Sequence, residues 1–303
     1  MRSQIRLDDI VRRSRVAIVT RDAEDLGSRV TRSSSAWLSD LLPRARTVDG
    51  VTDLAPTRNV VLDGVFNFRD LGGYRTRDGR SLRWRTLFRA DGLGRLTTDD
   101  LETLRPIALK TVVDLRTTRE IDERGRFPFE TYPVTFHHLS VIDTTWDREQ
   151  ARLEDLPATE FLHRAYTLML AEGAARFAAV FRLLGGTDAL PAVFHCAAGK
   201  DRTGLMAALL LGALGVEAHD IVADYALTEA TMQHFVDRVR SEATGNALID
   251  AAPQAFFAAE PAAMERVLDD LERNHGSMRG FVRAIGVEAD VLARLEDLLL
   301  VDD

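Results

Sequence analysis

One stretch in the second half of the chain decides the fold, and it reads His195-Cys196-Ala197-Ala198-Gly199-Lys200-Asp201-Arg202-Thr203-Gly204. Before it, residues 191–195 have the short apolar pattern of a buried strand. After it, residues 203–214 form an apolar run ending at Gly215, which is typical of a buried helix with a glycine stop. A strand, a tight loop and a buried helix form the unit in which α/β proteins hold an anion at a helix N-terminus. The sequence therefore predicts an α/β fold with an anion site in this loop.

The residue types in the loop suit attack by a thiol on a bound phosphoryl group. Five residues separate Cys196 from Arg202, so successive backbone N–H groups can turn inward around a tetrahedral oxyanion. The Arg202 guanidinium can bind two oxygens at once, and a thiol beside a helix N-terminus and a guanidinium is favoured as the thiolate. The residues expected to bind the substrate are Ala197, Ala198, Gly199, Lys200, Thr203 and Gly204.

Other interpretations of the loop fit it less well. A lone cysteine is commonly a small buried apolar residue, but that leaves Gly199, Lys200, Arg202 and Gly204 without a common purpose. A nucleotide-binding P-loop would need Ser or Thr where Asp201 stands. A zinc site lacks ligands, so we predict neither a metal nor a cofactor.

The composition indicates a folded protein without a nucleic-acid partner. Of the 303 residues, 46% are hydrophobic and 28% are charged, which is enough apolar material for a full core. Lys and Arg number 39 against 47 Asp and Glu, and the net charge of −8 argues against a surface that neutralises nucleic-acid phosphates. The longest apolar run, residues 205–216, is shorter than the roughly 20 residues of a membrane span, so no stable membrane insertion is expected.

The cysteine usage and the N-terminus bear on location. Cys196 is the single cysteine, which excludes an intramolecular disulfide and fits a reducing compartment. Two acidic residues precede any apolar run at the N-terminus, so no classical export signal is predicted. We expect a cytoplasmic protein, while unconventional secretion stays open.

The chain is predicted to consist of an extension and one main domain. Residues 1–55 form an extension of unknown role, and residues 56–303 form the domain. Short strands are expected at 59–62, 65–68 and 111–115, a helix begins after Thr97 in a capping box with Asp100, and a long helix covers 160–184. A helical insertion over about 228–275 is the predicted lid, with Met232, Phe235, Phe256, Phe257 and Met264 expected to pack.

Four motifs in order narrow the interpretation. They are Asn67-Phe68-Arg69-Asp70-Leu71-Gly72-Gly73-Tyr74, Leu87-Phe88-Arg89-Ala90-Asp91, Val113-Asp114-Leu115-Arg116 and the loop from His195 to Gly204. Together they resemble the bacterial protein tyrosine/serine phosphatase family of the cysteine-dependent phosphatase superfamily, over about residues 59–300. The resemblance implies a central, mainly parallel sheet flanked by helices, with a C-terminal helical lid. It also implies hydrolysis of phosphotyrosine through a phosphocysteine intermediate, with phosphoserine and phosphothreonine as further substrates.

The resemblance also suggests roles for residues around the loop. His195 would fix the geometry of the nucleophile, and Arg69 and Arg89 could add positive potential, although surface ion pairing is their default interpretation. The sequence has no Trp-Pro-Asp loop, so the general acid must come from elsewhere. Asp91 is our first choice and Asp201 is its rival.

Other functions remain open at this level. Lys200 beside the arginine also resembles phosphoinositide phosphatases, although no polybasic cluster stands out for membrane attachment. A phosphorylated protein is thus the first expected partner and a phosphoinositide the second. A non-catalytic phosphate-binding module would not need the thiol of Cys196, and arsenate reduction would need partner cysteines. The sequence does not fix the oligomeric state.

Overall fold

A five-stranded sheet forms the centre of the main domain. In the computed structural model its strands are β1 (Arg69–Asp70), β3 (Leu87–Ala90), β4 (Thr111–Asp114), β5 (Thr135–His138) and β6 (Ala192–His195). Their order is β1-β3-β6-β4-β5, and all neighbours are parallel except β1 and β3. This confirms the predicted α/β fold with a mainly parallel sheet. A separate antiparallel pair joins β2 (Ser81–Leu82) to β7 (Leu300–Val301).

The register of the three inner strands determines where the site forms. Ala90 and Asp114 both pair with His195, so β3, β6 and β4 end side by side. The carboxyl ends of parallel strands lie at one edge of the sheet, which is where α/β proteins place ligands. Asp91 and Cys196 therefore leave the sheet at the same edge, next to the end of β4.

Nine helices in the described part of the chain surround the sheet, and the sequence patterns explain several of them. They are α1 (Thr98–Leu104), α2 (Thr118–Arg124), α3 (Ala158–Leu184), α4 (Asp201–Ala213), α5 (Ala218–Ala226), α6 (Glu229–Arg240), α7 (Pro261–His275), α8 (Met278–Ala284) and α9 (Ala289–Leu299). The capping box of Thr97 and Asp100 starts α1 as predicted, and α3 and α4 confirm the long and the apolar helix. None of the described helices is both long and apolar enough to cross a bilayer.

Two apolar layers enclose the sheet. The larger one packs α3, α4 and the C-terminal helices against one face, and Phe177, Phe194 and Met206 in it are fully buried. The smaller one covers the other face with residues of α1 and of the segment after α2, including Phe127 and Tyr132. Because α4 is buried along nearly its whole length, the loop that precedes it has a rigid support.

The segment predicted as a lid divides into parts with different packing. Helix α6 lies against the loop, where Met232, Phe235, Val236 and Val239 form a small cluster with Ala198. Helix α7 instead packs in the principal core, where Met264 is fully buried. The surface over the loop is thus formed by α6 and the 3-10 turn Gln254–Phe257, and a lid function for them remains a prediction.

The entry to the domain differs from the expected strands. Residues 59–62 and 65–68 are not strands, and only Asn59 forms a single bridge, to Arg69. Backbone hydrogen bonds from Val60 to Phe68 and from Asp70 to Arg58 flank this bridge, but the pairing does not extend along either segment, and Val61 is exposed. The prediction of two strands was therefore wrong.

The structure describes residues 47–48, 51–52, 57–142, 156–242 and 254–302. The chain separates into two units, Met1–Ala55 and Pro56–Asp303. In the first unit, Thr47–Val48 pairs antiparallel with Val51–Thr52. The remainder of the predicted extension lies outside the described residues.

Candidate active site

The loop from Cys196 to Arg202 joins the central strand β6 to the buried helix α4. Cys196 is buried, with 1% of its surface exposed. Gly199 has φ +68°, and a Cβ there would lie 2.6 Å from the Ala90 carbonyl oxygen, so only glycine fits this turn. The Asn67 side-chain amide also donates to the Ala198 carbonyl at 3.0 Å. The loop is therefore fixed by β3 and by the first motif.

Arg202 is held by a carboxylate that the sequence analysis did not identify. Its two terminal nitrogens donate to the Glu120 oxygens at 2.6 and 2.8 Å, and both side chains are largely buried. Although burial alone would raise the pKa of Glu120, the charge and hydrogen bonds of Arg202 lower it to about 2. The fork of bonds fixes the guanidinium and uses two of its five N–H donors. Glu120 is thus a positioning residue for Arg202.

The Glu120–Arg202 pair predicts a pH-dependent part of the stability. The pKa of Glu120 falls from an ordinary 4.5 to about 2 on folding, so its contribution is present above pH 4.5 and is lost as the pH falls toward 2. We expect Glu120→Gln to lower the free energy of unfolding by about 3 kcal/mol at pH 7 and to flatten its pH dependence below pH 5. Urea unfolding at a series of pH values measures this, with the exposed Glu123→Gln as control. Equal pH slopes in wild type and Glu120→Gln would contradict it.

Arg69 and Arg89 are buried, which corrects the expectation of surface ion pairing. Both guanidiniums bind the carboxylate of Asp224 on α5, and Arg69 Nε lies 3.0 Å from it. Burial would raise the pKa of Asp224, but the charges of Arg69 and Arg89 hold it well below its ordinary value. Burial lowers the pKa of Arg89 to about 10. Arg89 also donates to the Gly199 carbonyl at 2.7 Å, which ties the buried network to the loop.

The buried network predicts a large loss of stability on removal of Asp224. Asp224→Asn leaves two guanidiniums buried without their counter-charge, and the expected loss is about 3–5 kcal/mol of unfolding free energy. Urea unfolding of Asp224→Asn measures the loss, and the partly exposed Asp220→Asn on the same helix is the matched control. We expect the control to stay within about 0.5 kcal/mol of wild type. A similar small change in Asp224→Asn would show that the network is not stabilising.

His195 and Thr203 contribute buried polar atoms next to the nucleophile. Burial lowers the pKa of His195 to about 4, so the ring is neutral at pH 7. Its Nδ1 lies 3.2 Å from the Cys196 carbonyl, and its Nε2 lies 3.4 Å from Asp114 without hydrogen-bond geometry. The Thr203 hydroxyl is also buried, and it has no hydrogen-bond partner among the described residues.

Asp91 lies at the predicted edge, but its carboxylate is already engaged. One oxygen accepts the backbone N–H groups of Phe66 and Asn67 at 3.1 and 2.9 Å, and the other accepts from Arg238 of α6 at 2.9 Å. Burial raises the pKa of Asp91, and the charge of Arg238 opposes the rise. The next residue, Gly92, donates to the Ala197 carbonyl at 3.0 Å. Asp91 therefore sits beside the loop and is linked to α6.

Asp201 is turned toward α3, and Lys200 is turned toward the segment that contains the 3-10 turn. The Asp201 carboxylate accepts the Tyr166 hydroxyl at 2.7 Å and lies 3.3 Å from the Lys200 ammonium. Lys200 is fully buried and donates to the carbonyls of Phe256 and Ala258. Its charge is thus used to anchor the 3-10 turn over the loop, while Ala197, Ala198, Gly199 and Gly204 supply the small residues that the loop needs.

Two residues important to the site escaped the sequence analysis, although each left a partial signal. Glu120 closes a capping box with Thr117, a pattern that marks the helix start but not its partner Arg202. Asp224 stands on the apolar face of α5 with Ile221 and Tyr225, where an unexplained acid suggests a buried ion pair. No group of three or more potential metal-ligating His, Cys, Asp or Glu side chains occurs among the residues that the structure describes.

The parallel sheet and a strand–loop–helix with a cysteine at its base and an arginine in the first helical turn define a cysteine-dependent phosphatase. Residues 60–301 match the model of the tyrosine phosphatase family, and the chain belongs to that family. It is therefore a tyrosine phosphatase enzyme, as the sequence motifs predicted.

Three relatives support this membership over most of the chain. A protein of Cupriavidus necator is 30% identical over 256 residues, covering 82% of this chain and 89% of the relative. The triple specificity protein phosphatase PtpB of Mycobacterium tuberculosis is 27% identical over 276 residues, covering 79% and 98%. A tyrosine-protein phosphatase of Nostoc commune is 28% identical over 216 residues, covering 69% and 72%.

Proposed function

We propose that this enzyme hydrolyses phosphotyrosine in proteins through a phosphocysteine intermediate, with phosphoserine and phosphothreonine as poorer substrates. The observation that carries the proposal is the position of Cys196 at the end of the central strand, under a loop whose arginine is fixed by Glu120. The name of the Mycobacterium tuberculosis relative, a triple specificity phosphatase, supports a broad substrate range. The lone thiol favours action in the reducing cytoplasm.

The proposed reaction has two displacements at phosphorus. In the first, the Cys196 sulfur forms a bond to phosphorus as the bond to the tyrosyl oxygen breaks, and Asp91 gives that oxygen a proton. In the second, water attacks phosphorus, the sulfur–phosphorus bond breaks, and Asp91 takes a proton from the water. Arg202 and the loop N–H groups stabilise the charge on the equatorial oxygens in both steps.

Asp91 is preferred to Asp201 as the acid for a physical reason. A general acid works best when its pKa is raised toward the working pH, and burial raises the pKa of Asp91. Asp201 instead accepts the Tyr166 hydroxyl at 2.7 Å and lies 3.3 Å from the Lys200 ammonium, so its carboxylate is engaged on the side of α3. For Asp91 to act, Arg238 must release its carboxylate, which would require α6 to shift.

A comparison of substrates tests the proposed function. Phosphate release is measured from a phosphotyrosyl peptide, its phosphoseryl counterpart and a soluble phosphoinositide, all with a chelator present. We expect the phosphotyrosyl peptide to give the highest kcat/KM. A higher kcat/KM for the phosphoinositide would contradict the proposal and favour the lipid-phosphatase alternative. The argument from Lys200 for that alternative does not hold, because the Lys200 ammonium binds backbone carbonyls instead of facing an additional phosphate.

A further inference from the structure

A pocket rich in arginine opens beside the catalytic loop. It is a small cleft that is open to solvent, and Ala197, the residue that follows the nucleophile, forms part of its lining. In the described part of the chain, its lining includes four arginines, Arg95, Arg116, Arg124 and Arg238, and one acid, Glu242. Phe235 and Val239 of α6 give it an apolar wall. A substrate with its phosphoryl group at Cys196 would therefore place a neighbouring side chain near these guanidiniums.

The charges in this pocket are unevenly balanced. Arg116 has its own carboxylate, Asp114, at 2.6 Å, and Arg238 has Asp91 at 2.9 Å. Arg95 and Arg124, in contrast, share the one carboxylate of Glu242, at 3.2 and 3.3 Å. Among the residues that the structure describes, these four guanidiniums thus pair with three carboxylates, one fewer than their own charges.

Arg95 and Arg124 lie close together, and their ion pairs with Glu242 are weak. A Cβ on Gly94 would lie 2.4 Å from the Arg124 carbonyl oxygen, so glycine permits the close approach that brings Arg95 beside Arg124. The bonds to Glu242 are longer than the usual 2.7–2.9 Å of charge-assisted bonds. The side chains of Arg95 and Glu242 are 47% and 21% exposed, so water weakens their attraction. An incoming anion can therefore displace Glu242 at small cost.

We propose that Arg95 and Arg124 form an accessory anion site that selects phosphotyrosyl peptides with an acidic side chain next to the phosphotyrosine, and that Glu242 is its internal competitor. The proposal rests on the proposed phosphotyrosine hydrolysis and adds a substrate preference to it. The site already fits a side-chain carboxylate, that of Glu242, and its apolar wall suits a peptide.

A membrane-bound ligand fits the charge of the chain less well. Each arginine of the pocket already has a carboxylate within 3.3 Å, and of the two lysines of the sequence Lys110 pairs with Asp188 and Lys200 is buried. Its net charge is −8, whereas attachment to anionic lipid needs a basic cluster. The observations therefore favour an acidic peptide over a lipid surface.

The test measures charge selectivity within each variant of the full chain. Two phosphotyrosyl peptides differ only in Glu or Gln next to the phosphotyrosine, and phenyl phosphate reports the catalytic loop alone. For wild type we expect kcat/KM to favour the Glu peptide roughly two- to fivefold, the range of a partly exposed ion pair. The ratio should fall to about one in the double variant Arg95→Gln/Arg124→Gln and should rise in Glu242→Gln.

A double variant outside the pocket serves as the control. The double variant Arg119→Gln/Arg126→Gln removes two exposed arginines outside the pocket and should keep the wild-type ratio. An unchanged ratio in Arg95→Gln/Arg124→Gln, or no preference in wild type, would overturn the proposal. So would a selective loss of soluble phosphoinositide turnover in that variant with the peptide ratio intact, because the site would then bind a lipid headgroup.

The experiment distinguishes failure of the proposed phosphotyrosine hydrolysis from failure of the accessory anion site. If wild type hydrolyses none of these phosphates, the proposed function fails. In that case the accessory site is tested by peptide affinities, measured by fluorescence anisotropy. The ratio of the affinity of the Glu peptide to that of the Gln peptide is compared between wild type and the same variants. Equal affinities would reject it.

Discussion

Cys196→Ser abolishes turnover of a phosphotyrosyl peptide while the protein still binds it. We expect kcat to fall roughly 10⁴-fold or more, as for removal of other enzymatic nucleophiles, because a serine hydroxyl in this position does not ionise near neutral pH. Binding should persist because Arg202 is still held by Glu120 and the loop N–H groups remain. Phosphate release measures the first effect, and peptide anisotropy measures the second.

Two controls make this result specific to the sulfur. Cys196→Ala should show the same loss, and urea unfolding should give both variants a stability within about 1 kcal/mol of wild type, since both changes are small. Substantial residual turnover in both variants, with the fold intact, would mean that another group attacks phosphorus.

Asp91→Asn should reduce kcat in a manner that depends on the leaving group. The expected loss is about 10²- to 10⁴-fold for phenyl phosphate, whose leaving oxygen needs a proton, and much smaller for dinitrophenyl phosphate, whose leaving group needs none. The matched variant Asp201→Asn should lower both substrates by a similar, smaller factor. The reverse result, with a leaving-group dependence only in Asp201→Asn, would assign the acid to Asp201.

The pH profile gives an independent check on Asp91. A general acid must be protonated, so activity falls as the pH rises through its pKa. Because the charge of Arg238 opposes the rise in the pKa of Asp91, Arg238→Gln should raise that pKa. The falling limb of the kcat/KM profile, which reports the free enzyme, should therefore move to higher pH in Arg238→Gln, and it should be absent in Asp91→Asn.

Local signals in the sequence were sufficient for the elements that carry the loop. The strand Ala192–His195, the helix Asp201–Ala213 and the capping box at Thr97 depend on residues close in sequence, and all three are confirmed. The strands expected at 59–62 and 65–68 failed because strand formation requires a partner, which local composition does not supply. Predictions from sheet propensity alone were therefore wrong at these segments, whereas predictions from helix and capping signals were correct.

The positioning residues depend on partners far away in the sequence. Arg202 meets Glu120 across 82 positions, and Arg89 meets Asp224 across 135. A charged residue is normally exposed, so Arg89 could not be recognised as buried until its acid partner was located. Lys200 was identified as a loop residue, but the direction of its ammonium is decided by the turn that α6 and α7 bring over the loop.

The most direct test of the account is to locate the phosphoryl group during turnover. Wild-type enzyme is mixed with a phosphotyrosyl peptide and quenched within one turnover, and mass spectrometry of its proteolytic fragments finds the modified residue. The account predicts one phosphoryl group on Cys196, absent from Cys196→Ser. Active turnover without phosphorylated Cys196, or a phosphoryl group on another residue that forms and decays at the rate of turnover, would contradict it.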